Sequence, residues 1–481
     1  MCDSDHTHAD PQKALPLSPA QAHSARAHID PTKYERKRVP GMCIKCKVAK
    51  PDVAIRNSLY CKKCFVRASV VKFRTAINRS RKNTAVPRTR LMVALSGGPS
   101  SSALLSMMAD FQRMDVKGSE ALPPYDDVVA GHIDESALFP DVQDGFIHSI
   151  AADAGIDCKV AKLEDVFSND SEALAFVKHV GHAVAPNQLK DRIHAQLATL
   201  DRLSSSKDRL QRLFTGLATA TDREEILDAL KMHLLVGLAR KEKCGVLLMG
   251  DSGTRIATKI VSLSSRGRGF SLPFEVGAES SWFDGVAVYR PMRDFIMKEI
   301  AFFNRWTKQR TVIVPTFTTG APARASIGRL TEAFVVGLDR DFASTVSTIC
   351  RTMQKLEPQQ QALEALPCLV CGLPVEDNAQ EWRSRLTVNQ GASTDPTTTS
   401  SDTSPSTKNN ELGLADITGL VCYSCQNIVH SAEPGTVFPG ASASSYRRRS
   451  STSTSRSVDD ADSRQEHLRK QIEMFFIADS E

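Results

Sequence analysis

The sequence has no apolar run approaching the ~18 consecutive residues that a membrane helix needs, which excludes a helical membrane protein. Its first 30 residues are polar, with scattered His and Pro, and contain no apolar stretch like that of a secretory signal. The expectation is therefore a cytoplasmic chain with no membrane partner. In that setting the 12 cysteines read as reduced thiols or metal ligands, not disulfides. No long internal repeat is present. Acidic residues are almost missing from one segment: residues 33–90 hold eighteen Lys/Arg against Glu35 and Asp52, a net +16. Since the whole chain carries only +6, the remainder must be acidic by about the difference. A strongly basic segment on an acidic body suits a polyanion, usually nucleic acid; the alternative is a solvated basic arm.

What is present is enough for a sizeable core. A chain of 481 residues with 41% hydrophobic content allows two or three domains. Residues 1–32 lack periodicity and read as a disordered tail; His6, His8, His23 and His28 are too irregularly spaced for a metal site. Residues 33–90 read as a basic four-cysteine module with a linker helix at 65–81, where Val66, Val70, Phe73 and Ile77 share a face and Lys72, Arg74, Arg79 and Arg81 can point outward. Residues 91–355 read as an α/β domain. Strands are expected at 91–95, 127–133, 158–163, 244–249, 286–289 and 311–314. Helices are expected at 102–111, 141–154 and 293–306, and through most of 171–243 with breaks near 204–206 and 219–221. That alternation predicts a parallel sheet with helices on both faces. Residues 360–430 form a second four-cysteine module containing a Ser/Thr-rich disordered insertion at 391–410. A disordered Ser/Arg-rich linker at 431–465 follows, with Arg447–Arg449 among serines, and then a docking helix at 466–481, where Leu468, Ile472 and Phe475 or Phe476 make an apolar stripe.

Cys43, Cys46, Cys61 and Cys64 form CxxC, a 14-residue gap and CxxC. Each pair puts two thiolates on one tight turn, and two turns complete a tetrahedral site of the kind zinc occupies structurally. Such an ion would supply ~10–16 kcal/mol to a module with little core of its own. A redox dithiol rarely comes as two pairs; an iron–sulfur cluster uses the same thiolates. Cys368 and Cys371 pair with Cys422 and Cys425 across a 50-residue gap, which is tolerable because loop-closure entropy grows only logarithmically. A second zinc site is expected there. Cys2, Cys158, Cys244 and Cys350 are isolated and receive no catalytic role. The expected nucleic-acid contacts are Arg36, Lys37, Arg38, Lys45, Lys47, Lys62, Lys63, Lys72, Arg74, Arg79, Arg81 and Lys82.

After the first expected α/β strand the chain reads Ser96-Gly97-Gly98-Pro99-Ser100-Ser101. A strand, a Ser/Gly loop and a helix N-terminus can cradle phosphates; a tight turn is the alternative. Together with the strand at 91–95, this loop resembles the opening of the ATP-pyrophosphatase PP-loop superfamily. The basic double CxxC, Gly131-His-Ile-Asp-Glu135, Gly250-Asp-Ser-Gly-Thr-Arg-Ile-Ala257, Arg290-Pro-Met-Arg-Asp294 and the split C-terminal CxxC pair narrow the resemblance to one branch, the cytoplasmic tRNA 2-thiolation protein 2 family. The resemblance covers about residues 40–375 and 412–478. It implies the second subunit of a cytosolic thiouridylase, paired as a heterodimer with a catalytic PP-loop subunit. That complex would use ATP to activate C2 of the wobble uridine, position 34, in tRNAs for Lys, Glu and Gln. Sulfur would come from a thiocarboxylated ubiquitin-related modifier, and protein urmylation is implied only through the family.

Three departures from the catalytic pattern of that superfamily point to a non-catalytic subunit. Ser100, after Pro99, occupies the position of a PP-loop Asp; proline removes an N–H from the cradle, and the missing carboxylate removes a metal organiser. The helix around 223–243 lacks the CxxC that catalytic relatives carry, and Phe317-Thr-Thr-Gly-Ala-Pro322 has threonine where they have a sulfur-handling Cys. The vestigial nucleotide loop is thus Ser96, Gly97, Gly98, Ser100 and Ser101. Two alternatives stay open: an active ATP-dependent sulfurtransferase in which Asp134 or Asp251 organises magnesium, and a zinc-dependent interaction scaffold without tRNA. For both acids the plainer role is at a strand end or helix cap.

Overall fold

The computed structural model describes residues 41–56, 58–84, 86–114, 125–140, 144–167, 205–283, 285–377 and 421–433, with 436, 438 and 439. The expected tail at 1–32, the insertion at 391–410, most of the linker at 431–465, the docking helix at 466–481, the helical stretch at 171–204, Cys2 and Arg36, Lys37 and Arg38 lie outside them.

The chain opens on a hairpin, β1 (Val53–Ile55) antiparallel to β2 (Ser58–Tyr60), and then enters α1 (Lys62–Thr84). Buried Phe65, Ser69, Phe73 and Ile77 recur at four-residue spacing, which gives α1 one core-facing stripe. The body is a six-stranded sheet in the order β5-β4-β3-β6-β8-β7. Its strands are β3 (Arg90–Ala94), β4 (Val128–Asp134), β5 (Asp157–Lys162), β6 (Cys244–Leu248), β7 (Glu279–Ser280) and β8 (Ala287–Tyr289). All pairs are parallel except β7 against β8. β3 is central; the chain proceeds first to β4 and β5 on one side and then to β6 and β8 on the other. Ligands of open α/β sheets bind at the carboxyl end of such a reversal, here between β3 and β6.

Helices cover both faces, as the alternation predicts. One face packs α2 (Pro99–Met114), α3 (Asp144–Ala154) and α8 (Met297–Thr307) onto Leu91, Val93, Val246, Leu248 and Tyr289. α1 and the β1–β2 hairpin join this core through Val53, Ile55, Phe73 and Ile77. The other face packs α4 (Ser206–Gly216) and α5 (Ala220–Lys241) onto Met92, Val129, Leu247 and Val288. The second cysteine group is part of that core, with Cys368, Cys371, Cys422 and Cys425 among its buried members. The break between α4 and α5 falls where Thr219 and Asp222 make reciprocal bonds of 3.1 and 3.2 Å, a capping box that starts α5. A smaller core joins α6 (Gly253–Ser265), α7 (Leu272–Val276), α9 (Ile327–Asp341) and α10 (Thr345–Met353).

Two expectations need correction. Residues 311–314 are not a strand: β7 closes that sheet edge antiparallel, and Ile313 is 87% exposed. The N–H of Val312 donates to the carbonyl of Gly97 at 2.8 Å, so this segment lies across the glycine loop. The helix expected at 293–306 begins later, because Pro291–Asp294 forms a separate 3-10 turn and Phe295 is extended. Among the described residues no helix is long and apolar enough to cross a membrane.

Candidate functional site

The first cysteine group is assembled by two local devices. The turn carrying Cys43 and Cys46 closes when the N–H of Lys47 donates to Cys43 O at 2.8 Å, with Lys47 in the left-handed region at φ 56°. The second pair opens a helix: Cys61 precedes α1 and Cys64 lies in its first turn. All four Sγ atoms lie within 4.8 Å of one another, and Cys46 and Cys61 are 4.0 Å apart. Four sulfurs around an ion at Zn–S ~2.3 Å would stand ~3.8 Å apart, so the donor set fits a single tetrahedral metal ion. Burial alone would raise the Cys43 thiol, but the N–H groups of Cys46, Cys61 and Lys45 bring it down to about 6. Its neighbour Cys64 is pushed up to about 12, chiefly by its hydrogen bond with Cys61. The N–H groups of Ala49 and Val48 lower the Cys46 thiol as well.

The second group repeats this plan on the opposite face of the sheet. Cys368 O accepts from the N–H of Gly372 at 2.8 Å, with Gly372 at φ 72°, and Cys422 is the N-cap of α12 (Tyr423–Ser431) once α11 (Gln360–Glu364) has passed. Its four Sγ atoms also lie within 4.8 Å of one another, and all four residues are buried. Cys371 and Cys422 are 3.7 Å apart, and the N–H of Cys422 donates to Cys368 Sγ at 3.4 Å. Hydrogen bonds from Cys368, Cys422 and Cys425 hold the Cys371 thiol well below its ordinary value. Arg268, 3% exposed, contributes positive charge beside the sulfurs and is held by Glu225 and Glu275. Ser424, inside the second CxxC, donates to the same Glu225 at 2.7 Å. A buried arginine offsetting excess thiolate charge supports metal ligation here. Sequence reasoning did not find Arg268 or Glu225, because nothing in their local pattern marks them.

The glycine loop sits at the carboxyl end of β3, where the strand order reverses. Gly97 holds φ 75°, a backbone conformation that favours glycine, and a Cβ there would require the end of the Ile147 side chain to shift. Ser101 Oγ donates to Gly98 O at 3.1 Å and Ser102 Oγ to Gly97 O at 3.2 Å, while Ser96 and Ser101 are joined at 3.2 Å. Asn304 Nδ2, on α8, donates to Pro99 O at 2.8 Å. Gly250, after β6, packs so tightly that a Cβ would meet Ser101 Cα and N at 3.1 Å. Ser96, Ser101, Ser102 and the carbonyls of Gly97, Gly98 and Pro99 are thus bonded within the loop or to α8.

Both nearby acids have structural partners. Asp134 ends β4 and accepts from the N–H of Ser136 at 2.8 Å. Asp251 lies 3.4 Å from Arg255, 3.5 Å from Lys259 and 3.6 Å from Arg290. Burial would raise its carboxyl, but Lys259, Arg255 and Arg290 outweigh that and hold it below the ordinary range. Three cations around one carboxylate leave little charge for magnesium. Among the other isolated cysteines, burial raises Cys158, Cys244 and Cys350 each to about 11, the state of inert core thiols.

The basic residues divide into two sets. Lys45, Lys47, Lys62, Lys63, Arg79, Arg81 and Lys82 are exposed. Lys72, expected to face outward, instead points at α8: its Nζ lies 3.0 Å from both Glu299 carboxylate oxygens and 4.3 Å from the centre of the Phe295 ring. Arg74 is half-buried against the Phe111 ring.

Comparison with known proteins places this anatomy among relatives. A family model described as cytoplasmic tRNA 2-thiolation protein 2 matches residues 326–427. The protein of that name from Danio rerio is 31% identical over 378 residues, covering 70% of this chain and 73% of its own. The human protein of the same name is 32% identical over 352 residues, covering 65% and 67%. Among solved structures, the U34-tRNA thiolase NcsA from Methanococcus maripaludis with its [4Fe-4S] cluster aligns at TM-score 0.44 and 14% identity, covering 73% of this chain and 98% of that one.

Proposed function

The chain belongs to the cytoplasmic tRNA 2-thiolation protein 2 family, and from that premise we propose that it is the tRNA-gripping, non-catalytic subunit of the cytosolic complex that 2-thiolates wobble uridine 34 in tRNAs for Lys, Glu and Gln. A catalytic PP-loop partner in the heterodimer adenylates the uridine oxygen. Sulfur then displaces AMP, delivered from the thiocarboxylated ubiquitin-related modifier. This chain contributes the RNA grip and the platform that its partner docks on, in the cytoplasm.

The observation that carries the reading is the state of the glycine loop. Pro99 offers no N–H, Ser100 stands in place of the carboxylate, and Val312 already donates to the Gly97 carbonyl. A loop so occupied supports a retained shape without ATP chemistry. The grip falls to the exposed face of the cysteine module and α1, at Lys45, Lys47, Lys62, Lys63, Arg79, Arg81 and Lys82, joined by Arg36, Lys37 and Arg38. Arg74 would contribute from the flank of α1, whereas Lys72 is turned inward to Glu299. Zinc at both cysteine groups holds the module and the C-terminal pair in shape; the compact sulfur spacing supports one tetrahedral ion over a multi-iron cluster, whose ligand sulfurs stand further apart.

The test is tRNA binding by the full chain as a function of salt. Replacing Lys62, Lys63, Arg79 and Lys82 together by Ala should weaken binding and flatten the slope of log affinity against log salt, by about 0.7–0.9 for each phosphate no longer neutralised. An unchanged affinity and slope would sink the grip.

A further inference from the structure

A cavity of about 250 Å³ lies where the β1–β2 hairpin and α1 meet α6, α8 and α10. Its lining includes Arg56, Lys72, Arg293 and Arg351, with Asp294 as the one carboxylate residue. Arg56 sits at the hairpin tip and reaches Asp294 O with its Nη2 at 3.3 Å. Arg56 and Arg351 are exposed, so the cavity opens to solvent between them. Arg293 lies at its floor, 6% exposed.

Arg293 is the anomaly. A buried guanidinium is costly unless it is paired and hydrogen-bonded. The two other deeply buried arginines have a counter-charge: Arg268 pairs with Glu225 and Glu275, and Arg290, though its Nε also lacks a hydrogen-bond partner among the described residues, lies 3.6 Å from Asp251 and donates to Gly277 O and Phe274 O. Arg293 has no ion pair among the described residues, its Nε lacks a hydrogen-bond partner there, and its Nη2 makes one long contact of 3.5 Å to Cys350 O. Lys72, which lines the same cavity, already shares its charge with Glu299. Asp294 is the one carboxylate residue in the lining against four cations; Glu299 and Glu279 act on Lys72 and Arg293 from outside it. Burial holds both Arg293 and Lys72 below their ordinary values. α10 lies along one wall of the cavity, with Val346 and Ser347 from its first turn and Cys350 and Arg351 from its last.

We propose that this cavity seats one backbone phosphate of an RNA, with Arg293 at its floor and Arg56 and Arg351 closing over it from either side. A phosphodiester supplies the missing charge, and the planar fork of Arg293 suits two of its oxygens. RNA is favoured over another phosphate carrier because two of the four cations, Arg56 and Lys72, belong to the segment of net +16 whose exposed face continues beyond the cavity. The inference rests on the tRNA-gripping reading above and deepens it: one contact is a built socket, the others a solvated surface.

The test uses the full chain and tRNA, comparing wild type with Arg56→Ala/Arg351→Ala and with Arg351→Glu, which alters only an exposed position of α10. The double variant should bind about tenfold more weakly, as expected when a charged hydrogen bond is removed, and its salt slope should fall by about 0.7–0.9 for the one phosphate released. Ethylation of single tRNA phosphates should reveal one position whose modification weakens wild type but is neutral in the variant. Salt-dependent binding by wild type with unchanged slope and interference in both variants would overturn the socket and leave the grip standing. Absence of wild-type binding would overturn the grip and the socket with it.

Discussion

Lys72 and Glu299, 227 residues apart, meet with both carboxylate oxygens 3.0 Å from the ammonium. The same carboxylate accepts from the N–H of Ile296 at 2.9 Å and so caps α8. One glutamate therefore both starts a body helix and fastens the basic helix of the cysteine module to it. Glu299→Gln would keep much of the cap and lose the ion pair, leaving Lys72 half-buried without its counter-charge. With Lys72 29% exposed, the cost should be about 1–3 kcal/mol, less than for a fully buried pair. Urea denaturation of both forms measures it; an unchanged midpoint would mean that the module is held by packing alone.

Arg268 should be a costlier residue to lose. Arg268→Ala would leave Glu225 with Arg266 and Ser424 as its partners among the described residues, and would remove positive charge beside Cys371 and Cys422. A loss of about 3–5 kcal/mol is expected, with weaker metal retention at the second cysteine group and an unaltered first group. Metal analysis after mild chelation separates the two groups. Equal loss at both would show general unfolding instead.

Metal content should follow the two groups independently. Cys61→Ser should remove one ion per chain, and Cys425→Ser the other. Acid should release the first ion: the folded Cys43 value, about 6 against an ordinary 9.0, is depressed. The stability contributed by that thiolate is therefore present above the ordinary value and lost as pH falls through about 6. Metal retention titrated from pH 8 to 5 checks the sign. Release on raising the pH would contradict it.

Gly97→Val would place a branched side chain at φ 75° against Ile147. About 1–3 kcal/mol of destabilisation is expected from the backbone alone, and more from the clash. A variant as stable as wild type in thermal unfolding would mean that the loop is not held in the shape described.

The sheet and both cysteine groups were legible because each obeys a local rule. Buried parallel strands read as short apolar runs, as at 91–95 and 244–249, and paired CxxC turns place thiolates whatever lies between them. The same apolar rule failed at 311–314, where Val312 and Val314 mimic a strand but the edge position is taken by β7, a two-residue strand too short to show a pattern. The helix rule placed α1 but not the direction of Lys72, because a lysine on the flank of an amphipathic helix goes wherever a distant carboxylate stands. Arg293, Arg56 and Arg351 were invisible as a group for a similar reason: they come from a turn, a 3-10 segment and a helix that only the folded chain brings together. Lys47 and Gly372 do the same turn-closing work after their CxxC pairs, and only the glycine announces it.

The most direct test of the central claim is tRNA-dependent AMP release from labelled ATP, by this chain alone and mixed with its catalytic PP-loop partner. The account predicts no release by the chain alone and release in the mixture. Release by the chain alone, abolished by Gly97→Val, would contradict it and mean that the loop at Pro99 and Ser100 still performs the chemistry.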